Sequence, residues 1–332
     1  MTLILSAVWG PWAFHASDRL VSTKPTKQNP DGEWDPNSNK TIVVVGRGCW
    51  LVIGYTGLAY LDGKPTDVFL AECITGIEDL SHRPAFFPWM PDRDLHYRGI
   101  RNKIAAGLER AYGRLPRRTR DSYTTAVLAS GLQQGGRKTM TRVMFSVDML
   151  GQSSNASELV PRRLPLGAVR LSGVGTCVQE LLHALNVDLC QYRNDVHNGV
   201  HDEPDPIMFR DLMLQAVRDT SAVVPQNVGP HVIGVLLDPQ QSKISTVFSP
   251  ADSTGEPPVG RELADTFAGL PKIPTPWVLK PGISHAPSVG NPGGWVGIGP
   301  NSISFEYSGF EPATPGPGPI FFGSQPRKGP PQ

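Results

Sequence analysis

Apolar residues follow two kinds of spacing along the chain before its proline-rich C-terminal part. Short apolar and β-branched runs come in pairs joined by turn residues, as in hairpins, and longer runs have helical spacing. The predicted strands cover positions 2–8, 12–16, 41–45, 49–53, 124–132, 141–147, 231–237 and 244–248. The predicted helices cover positions 66–74, 101–112, 176–189 and 206–218. Hairpins that alternate with helix pairs indicate an α+β fold in which helices cover stacked antiparallel sheets.

The composition changes towards the C-terminus. Seventeen of the 33 prolines lie from Pro250 onward. Alternation of Pro with Gly is confined to residues 315–319, and the chain then ends in Pro-Arg-Lys-Gly-Pro-Pro-Gln. A segment of this composition has too little apolar surface to form a core. We therefore predict a main domain over residues 2–240, an extension over 241–310 whose short strands are either isolated or docked segments rather than a second domain, and a flexible tail over 311–332. Residues 23–39 are polar and contain several turn dipeptides, so they are predicted to form a loop.

Charge and cysteine content argue against several classes of protein. The chain has 31 Lys+Arg and 30 Asp+Glu, a formal net charge of +1, so no overall field would attract nucleic acid or an anionic membrane. No apolar run is long enough to span a membrane, and the N-terminus lacks the features of a signal peptide. The four cysteines are far apart, which argues against a disulfide scaffold. We expect a cytoplasmic protein without metal or cofactor.

Two clusters of ionisable residues have simple interpretations. His197 and His201 lie among acidic residues, but the surrounding Asn, Gly and Pro predict a solvated loop rather than a metal site. The basic run at residues 114–120 lacks interleaved aromatic residues and is interpreted as an exposed cluster at a helix end, not as a nucleic-acid site.

The chemistry begins at Thr2, which directly follows Met1. Removal of Met1 before this small residue would leave Thr2 with a free α-amine. Such a threonine contains both a nucleophile and its base, because the hydroxyl attacks while the amine accepts the proton near neutral pH.

The residues that follow Thr2 occur in an ordered series. Asp18 follows the second strand, Lys40 precedes the third, and Gly54 follows the fourth, with Gly57 next in Gly-Tyr-Thr-Gly. In its order, and in the intervals from Thr2 to Asp18 and from Lys40 to Gly54, this series resembles the N-terminal-nucleophile hydrolases of the proteasome β-subunit type. The resemblance covers roughly residues 2–240. The Met-Thr start is similar to that of the bacterial heat-shock two-component peptidase. The resemblance implies a four-layer α/β/β/α sandwich.

The resemblance also implies a role for each matched residue. Thr2 would be the nucleophile, and the Lys40 cation would lower the pKa of the α-amine and stabilise the developing alkoxide. Asp18 would hold Lys40 in place and balance its charge. The backbone N–H of Gly54 would face the oxyanion, and Gly57 would help to bind substrate.

Taken singly, these residues are also compatible with roles outside catalysis. Asp18 and Arg19 could form an ion pair at a surface turn, although we expect Arg19 to pack the turn instead. Lys40 could be a solvated strand end, and Lys24 or Lys27 would then be the alternative lysine.

Later matches are weaker. The supporting residues are Ser172, Asp219 and Ser221, and the Gly-rich segment at 171–176 around Ser172 resembles the family's turn before a helix. Val174 and Ala222 stand where the family has serine, and residues 83–120 form an insertion. These departures leave open a catalytically inactive subunit or scaffold.

The expected function is therefore a threonine peptidase or amidohydrolase that acts on a peptide or amide substrate. The resemblance implies a homo-oligomeric ring, and it leaves open an ATPase unfoldase as a partner. A non-proteolytic hydrolase of small amides from the same superfamily is the remaining alternative.

Overall fold

The computed structural model describes sixteen stretches of the chain. They are residues 2–22, 33–35, 38–46, 48–80, 86–87, 95–135, 140–161, 164, 168–175, 178–200, 204–241, 243–249, 277–280, 283–285, 295–299 and 302–307. The predicted tail at 311–332 and the two alternative lysines, Lys24 and Lys27, lie outside these residues, as does His201.

Helices and antiparallel sheets together make an α+β fold, as predicted. The strands are β1 (Leu3–Trp9), β2 (Trp12–Asp18), β3 (Val21–Ser22), β4 (Glu33–Asp35), β5 (Thr41–Val45), β6 (Cys49–Thr56), β7 (Tyr60–Leu61), β8 (Lys64–Pro65), β9 (Phe86–Phe87), β10 (Thr125–Gln134), β11 (Met140–Leu150), β12 (Ser153–Glu158), β13 (Arg170–Gly175), β14 (Val232–Asp238), β15 (Lys243–Ser249), β16 (Trp277–Lys280), β17 (Ile283–His285), β18 (Trp295–Gly299) and β19 (Ser302–Tyr307). The helices are α1 (Thr66–Thr75), α2 (Tyr97–Arg114), α3 (Arg117–Ser122), α4 (Val178–His197) and α5 (Pro206–Val223).

Two large sheets contain most of the strands. The first has the order β13-β1-β2-β14-β15-β19-β18, and the second has the order β12-β11-β10-β6-β5-β16-β17-β9. Neighbouring strands are antiparallel except for β16, which runs parallel to β5. Two small sheets pair β3 with β4 and β7 with β8.

Three hydrophobic clusters explain why the strands are apolar on both faces. Alternate side chains of one strand point to opposite sides of its sheet. In β1, Leu3 and Leu5 therefore pack towards α4 and α5, whereas Ile4 and Val8 join a cluster that contains residues of both sheets. The third cluster lies between the second sheet and the helices α1 and α2. No helix in the described stretches is both long and apolar enough to cross a membrane.

Several elements differ from the sequence-based expectation. The polar loop at 23–39 contributes Glu33–Asp35 to a small sheet with β3. Residues 171–175 of the Gly-rich segment that was interpreted as a turn instead belong to the edge strand β13, because they pair along β1. Helix α4 continues to His197, so this histidine ends a helix rather than lying in a loop. The polar strand β12 was not predicted, because only its pairing with β11 shows it to be a strand.

The C-terminal strands are not isolated. β16 and β17 extend the second sheet next to β5, and β19 and β18 extend the first sheet next to β15. β15 itself pairs along the whole of β14, so the first sheet continues past residue 240. The strands β5 and β15, with which β16 and β19 pair, lie far from them in the chain. The local sequence therefore predicted strands here without predicting where they pair.

Candidate active site

The candidate catalytic residues meet where three strands begin or end. β1 and β2 form an antiparallel hairpin in which Ile4 faces Ser17, so the start of β1 lies beside the end of β2. Thr2 and Asp18 are brought together in this way. Lys40 directly precedes β5 and reaches them from the other sheet. The sequence interval between Thr2 and Asp18 is thus a consequence of the hairpin.

The Lys40 ammonium contacts both partners. Its Nζ donates a hydrogen bond to Thr2 Oγ1 at 2.7 Å and to Asp18 Oδ2 at 3.3 Å. A third bond goes to the backbone oxygen of Leu20. A lysine has three donors, and these three acceptors match that number.

All three side chains are removed from solvent. Thr2 is 6% exposed, Asp18 is 0% and Lys40 is 2%. A buried ion pair needs further hydrogen bonds to offset its desolvation. The interpretation of Asp18 as part of an exposed turn, and of Lys40 as a solvated strand end, is therefore wrong.

Backbone amides supply those further bonds to the Asp18 carboxylate. Oδ1 accepts from the N–H of Leu3 at 2.8 Å, and Oδ2 accepts from the N–H groups of Leu20 at 3.0 Å and Gly229 at 3.2 Å. The carboxylate thus joins β1, the residues after β2 and the segment before β14.

Arg19 packs the turn, as predicted. It is 1% exposed, and its Nε donates to the backbone oxygen of Ser38 at 3.1 Å. The N–H of Ser38 donates in return to the Arg19 carbonyl at 3.1 Å. These bonds fix the chain just before Lys40, so Arg19 helps to place the lysine.

The two predicted glycines lie in different settings. The N–H of Tyr55 donates to the Lys40 carbonyl, so the backbone polar groups of Tyr55 point to β5. The N–H of Gln134 donates to the Gly48 carbonyl, so those of Gly48 point to β10. Hydrogen bonding alternates along an antiparallel strand. With Gly54 opposite Leu128, the Gly54 amide therefore points to β10 and away from Lys40. This register disfavours Gly54 as the oxyanion donor.

Gly57 lies beyond the end of β6. Its φ of +113° is one that few other residues adopt, and a Cβ there would be 2.1 Å from the Thr124 carbonyl oxygen. It is exposed and outside the ladder, so its backbone remains the better candidate for contact with a substrate.

Ser172 is not brought to Thr2. β13 pairs with β1 so that Ser172 faces Ser6 and Val174 faces Ile4. Ser172 is therefore about four residues along the strand, or roughly 13 Å, from Thr2. The residue beside Thr2 is Gly175, where a Cβ would lie 1.8 Å from the Thr2 carbonyl oxygen. This glycine was not predicted as a site residue, because the segment at 171–176 is typical of a turn.

The residues at the end of α5 differ in their relation to the site. Ser221 is buried, and its hydroxyl donates to the Val228 carbonyl at 2.9 Å, next to the Gly229 amide that binds Asp18. Asp219 is exposed and accepts from Gln215 one turn earlier, and Ala222 is also exposed. Ser221 thus supports the site through the 228–229 segment, and Asp219 does not contribute to it in this way.

His15 is a second residue that sequence analysis missed. It lies on β2 between the two sheets and is fully buried, and Ser6 Oγ is 3.0 Å from its Nδ1. Burial lowers the pKa of His15 from 6.5 to about 3, because the charged imidazolium would be desolvated. The ring is therefore neutral at physiological pH. A single histidine in a strand carries no sequence signal that separates this position from an exposed one.

The buried neutral His15 predicts that the protein loses stability in acid. Below pH 6.5 the unfolded chain binds a proton at His15 that the folded protein binds only near pH 3. The free energy of unfolding should therefore fall by about 1.4 kcal/mol per pH unit between these values from this group, with no loss above 6.5. Urea unfolding between about pH 7 and pH 4.5 measures the slope, and His15→Gln should show a smaller one. Equal slopes would contradict the prediction.

A metal site finds no support in the described residues, which contain no group of three or more His, Cys, Asp or Glu placed to hold an ion. No family model matches this chain, and a search of curated proteins finds no similar sequence.

Proposed function

We propose that this protein is a threonine-type hydrolase of peptide or amide bonds, with Thr2 as the N-terminal nucleophile. The observation that carries the proposal is the 2.7 Å contact between Lys40 Nζ and Thr2 Oγ1. A lysine that is also bound to a buried carboxylate is an ammonium donor, and a cation at this distance favours the alkoxide that forms during attack.

The arrangement of layers supports the fold that this function requires. Each sheet has one face towards the other sheet and one face towards helices, as the three hydrophobic clusters indicate. We propose that the chain is a four-layer α/β/β/α sandwich of the N-terminal-nucleophile hydrolase type. In such a layering the catalytic groups come from the ends of strands in both sheets.

The proposed reaction has two steps. Thr2 Oγ1 attacks the substrate carbonyl carbon, and its proton passes to the Thr2 α-amine and then to the leaving nitrogen as the C–N bond breaks. This leaves an ester on Thr2. Water then attacks the ester carbon, which releases the carboxylic acid and restores the hydroxyl. Lys40 stabilises the negative charge on Oγ1 both when it attacks and when the ester is hydrolysed, and Asp18 keeps Lys40 in place.

The oxyanion requires a donor outside the sheet ladder. We assign this role to the Gly57 backbone rather than to that of Gly54, because the Gly54 N–H points to Leu128. Loss of one oxyanion donor typically raises the barrier by about 2.7–4 kcal/mol.

The mechanism predicts that Met1 is absent from the active protein, since the α-amine of Thr2 must be free to accept a proton. Intact-protein mass, measured with and without a covalent inhibitor directed at N-terminal threonine, tests this. We expect a mass without Met1 and one inhibitor adduct, and no adduct on Thr2→Ala. Retention of Met1 on most chains would contradict the catalytic proposal without affecting the fold.

A non-catalytic scaffold is the second candidate. Val174 opposite Ile4 and the exposed Ala222 offer no hydroxyl near Thr2. A protein without Met1 that forms no inhibitor adduct would favour this candidate. Assembly into a homo-oligomeric ring, with or without an ATPase partner, remains part of the proposal, and sedimentation velocity measures it.

A further inference from the structure

A strip of contacts joins the two sheets next to the candidate site. Three residues of β2 take part in it. Ser17 Oγ is 3.5 Å from Thr41 Oγ1, and Ser130 Oγ of β10 donates to the Phe14 carbonyl at 2.9 Å. The His15 ring lies between these two contacts and faces Gly54 of β6.

The ring occupies the space that a side chain at position 54 would need. A Cβ on Gly54 would lie 2.3 Å from His15 Cε1 and 2.5 Å from Nε2, both shorter than any real contact. Nε2 makes no hydrogen bond within the described residues, so this edge of the ring is in van der Waals contact only. The opposite edge is held by Ser6.

This contact is close to the groups that must meet across the sheets. His15 lies on β2 three residues before Asp18, and Gly54 faces Thr41, the neighbour of Lys40. Thr2 and Asp18 belong to the first sheet, whereas Lys40 enters from the second. The contact between Lys40 Nζ and Thr2 Oγ1 thus crosses from one sheet to the other.

We infer that His15 is a positioning residue whose ring, held by Ser6, sets the separation of the sheets beside the nucleophile. His15 would affect the reaction through the position of Lys40. The inference therefore rests on the proposed function. Gly54 is then required because it admits the ring, which explains the glycine without an oxyanion role.

Reciprocal substitutions test the inference. Gly54→Ala forces a methyl group into the ring and should lower kcat by about 10²-fold, because misplacing a catalytic group by about 1 Å has effects of this size. We expect KM to change by less than about threefold. His15→Ala should lower kcat by about tenfold, and the double variant should recover at least about tenfold relative to Gly54→Ala, since the methyl group then has room.

A matched control separates positioning from loss of stability. Val8→Ala removes apolar volume from the same layer between the sheets, at the end remote from Thr2. It should lower stability with kcat unchanged. His15→Gln, which keeps a side chain of similar reach, should keep more of kcat than His15→Ala. If Val8→Ala and His15→Ala lower kcat equally, or if the double variant shows no recovery, the inference is wrong.

A crystallographic measurement keeps this test independent of the reaction. The distance between Lys40 Nζ and Thr2 Oγ1 should lengthen in His15→Ala or Gly54→Ala and return towards 2.7 Å in the double variant. If neither the unaltered protein nor any variant cleaves a peptide, the proposed function is wrong. The distances between Lys40 Nζ and Thr2 Oγ1 would still test the inference about His15. Unchanged distances would overturn it.

Discussion

Thr2→Ala is expected to lower kcat/KM for a fluorogenic peptide by at least about 10³-fold, because it removes the proposed nucleophile. Lys40→Ala should cause a loss of similar size, since the alkoxide would then form without the ammonium 2.7 Å away. The two losses should be far from additive in the double variant, because the residues act as one unit. Initial rates at several substrate concentrations provide the measurement.

Two further variants complete this experiment. Thr2→Ser keeps the hydroxyl and should retain measurable hydrolysis, and Thr2→Ala should unfold at nearly the same urea concentration as the unaltered protein. Full activity in Lys40→Ala would show that another lysine does this work and would remove the main support for the proposal.

Asp18→Ala should be the most destabilising single substitution at the site. It leaves the Lys40 charge buried without its counter-ion and leaves the Leu3, Leu20 and Gly229 amides without their acceptor. Loss of one partner from a buried ion pair costs about 3–5 kcal/mol. We therefore expect a decrease of at least this size in the free energy of unfolding, measured in urea at neutral pH.

The double variant Asp18→Asn/Lys40→Met is the matched control. It removes both charges but keeps one side-chain oxygen to accept hydrogen bonds from the backbone. It should be more stable than Asp18→Ala, although inactive. An Asp18→Ala protein with unchanged stability would show that the carboxylate is not buried as described.

The main strands were predictable because their apolar runs are long enough to fill both faces of a buried sheet. Thr2, Asp18 and Lys40 were predictable as a group, because each lies at a fixed sequence distance from the end of a strand in the β1–β2 hairpin or from the start of β5. The hairpin alone brings Thr2 to Asp18. The stacking of the two sheets, which the family resemblance implies, brings Lys40 to both.

Features that depend on register or distant partners were not predictable. Gly54 has the expected spacing from Lys40, but the strand to which its N–H points depends on the register of β6 with its neighbours. A shift of one residue in that register would turn the N–H to the opposite strand. His15 and Gly175 have meaning only through the atoms opposite them. β16 lies near the opposite end of the chain from its partner β5, and local pattern does not encode such a pairing.

The bond from the Gly229 amide to Asp18 also affects when the site is completed during synthesis. Thr2 and Asp18 are synthesised well before Gly229, so the Asp18 carboxylate acquires its last backbone donor only after Gly229 has been added. Strand β14, which pairs with β2 at the edge opposite to β1, is synthesised directly after Gly229. A nascent chain that ends before this point has Thr2 and Asp18 without the Gly229 amide. The proposed site is therefore complete only after most of the domain has been synthesised.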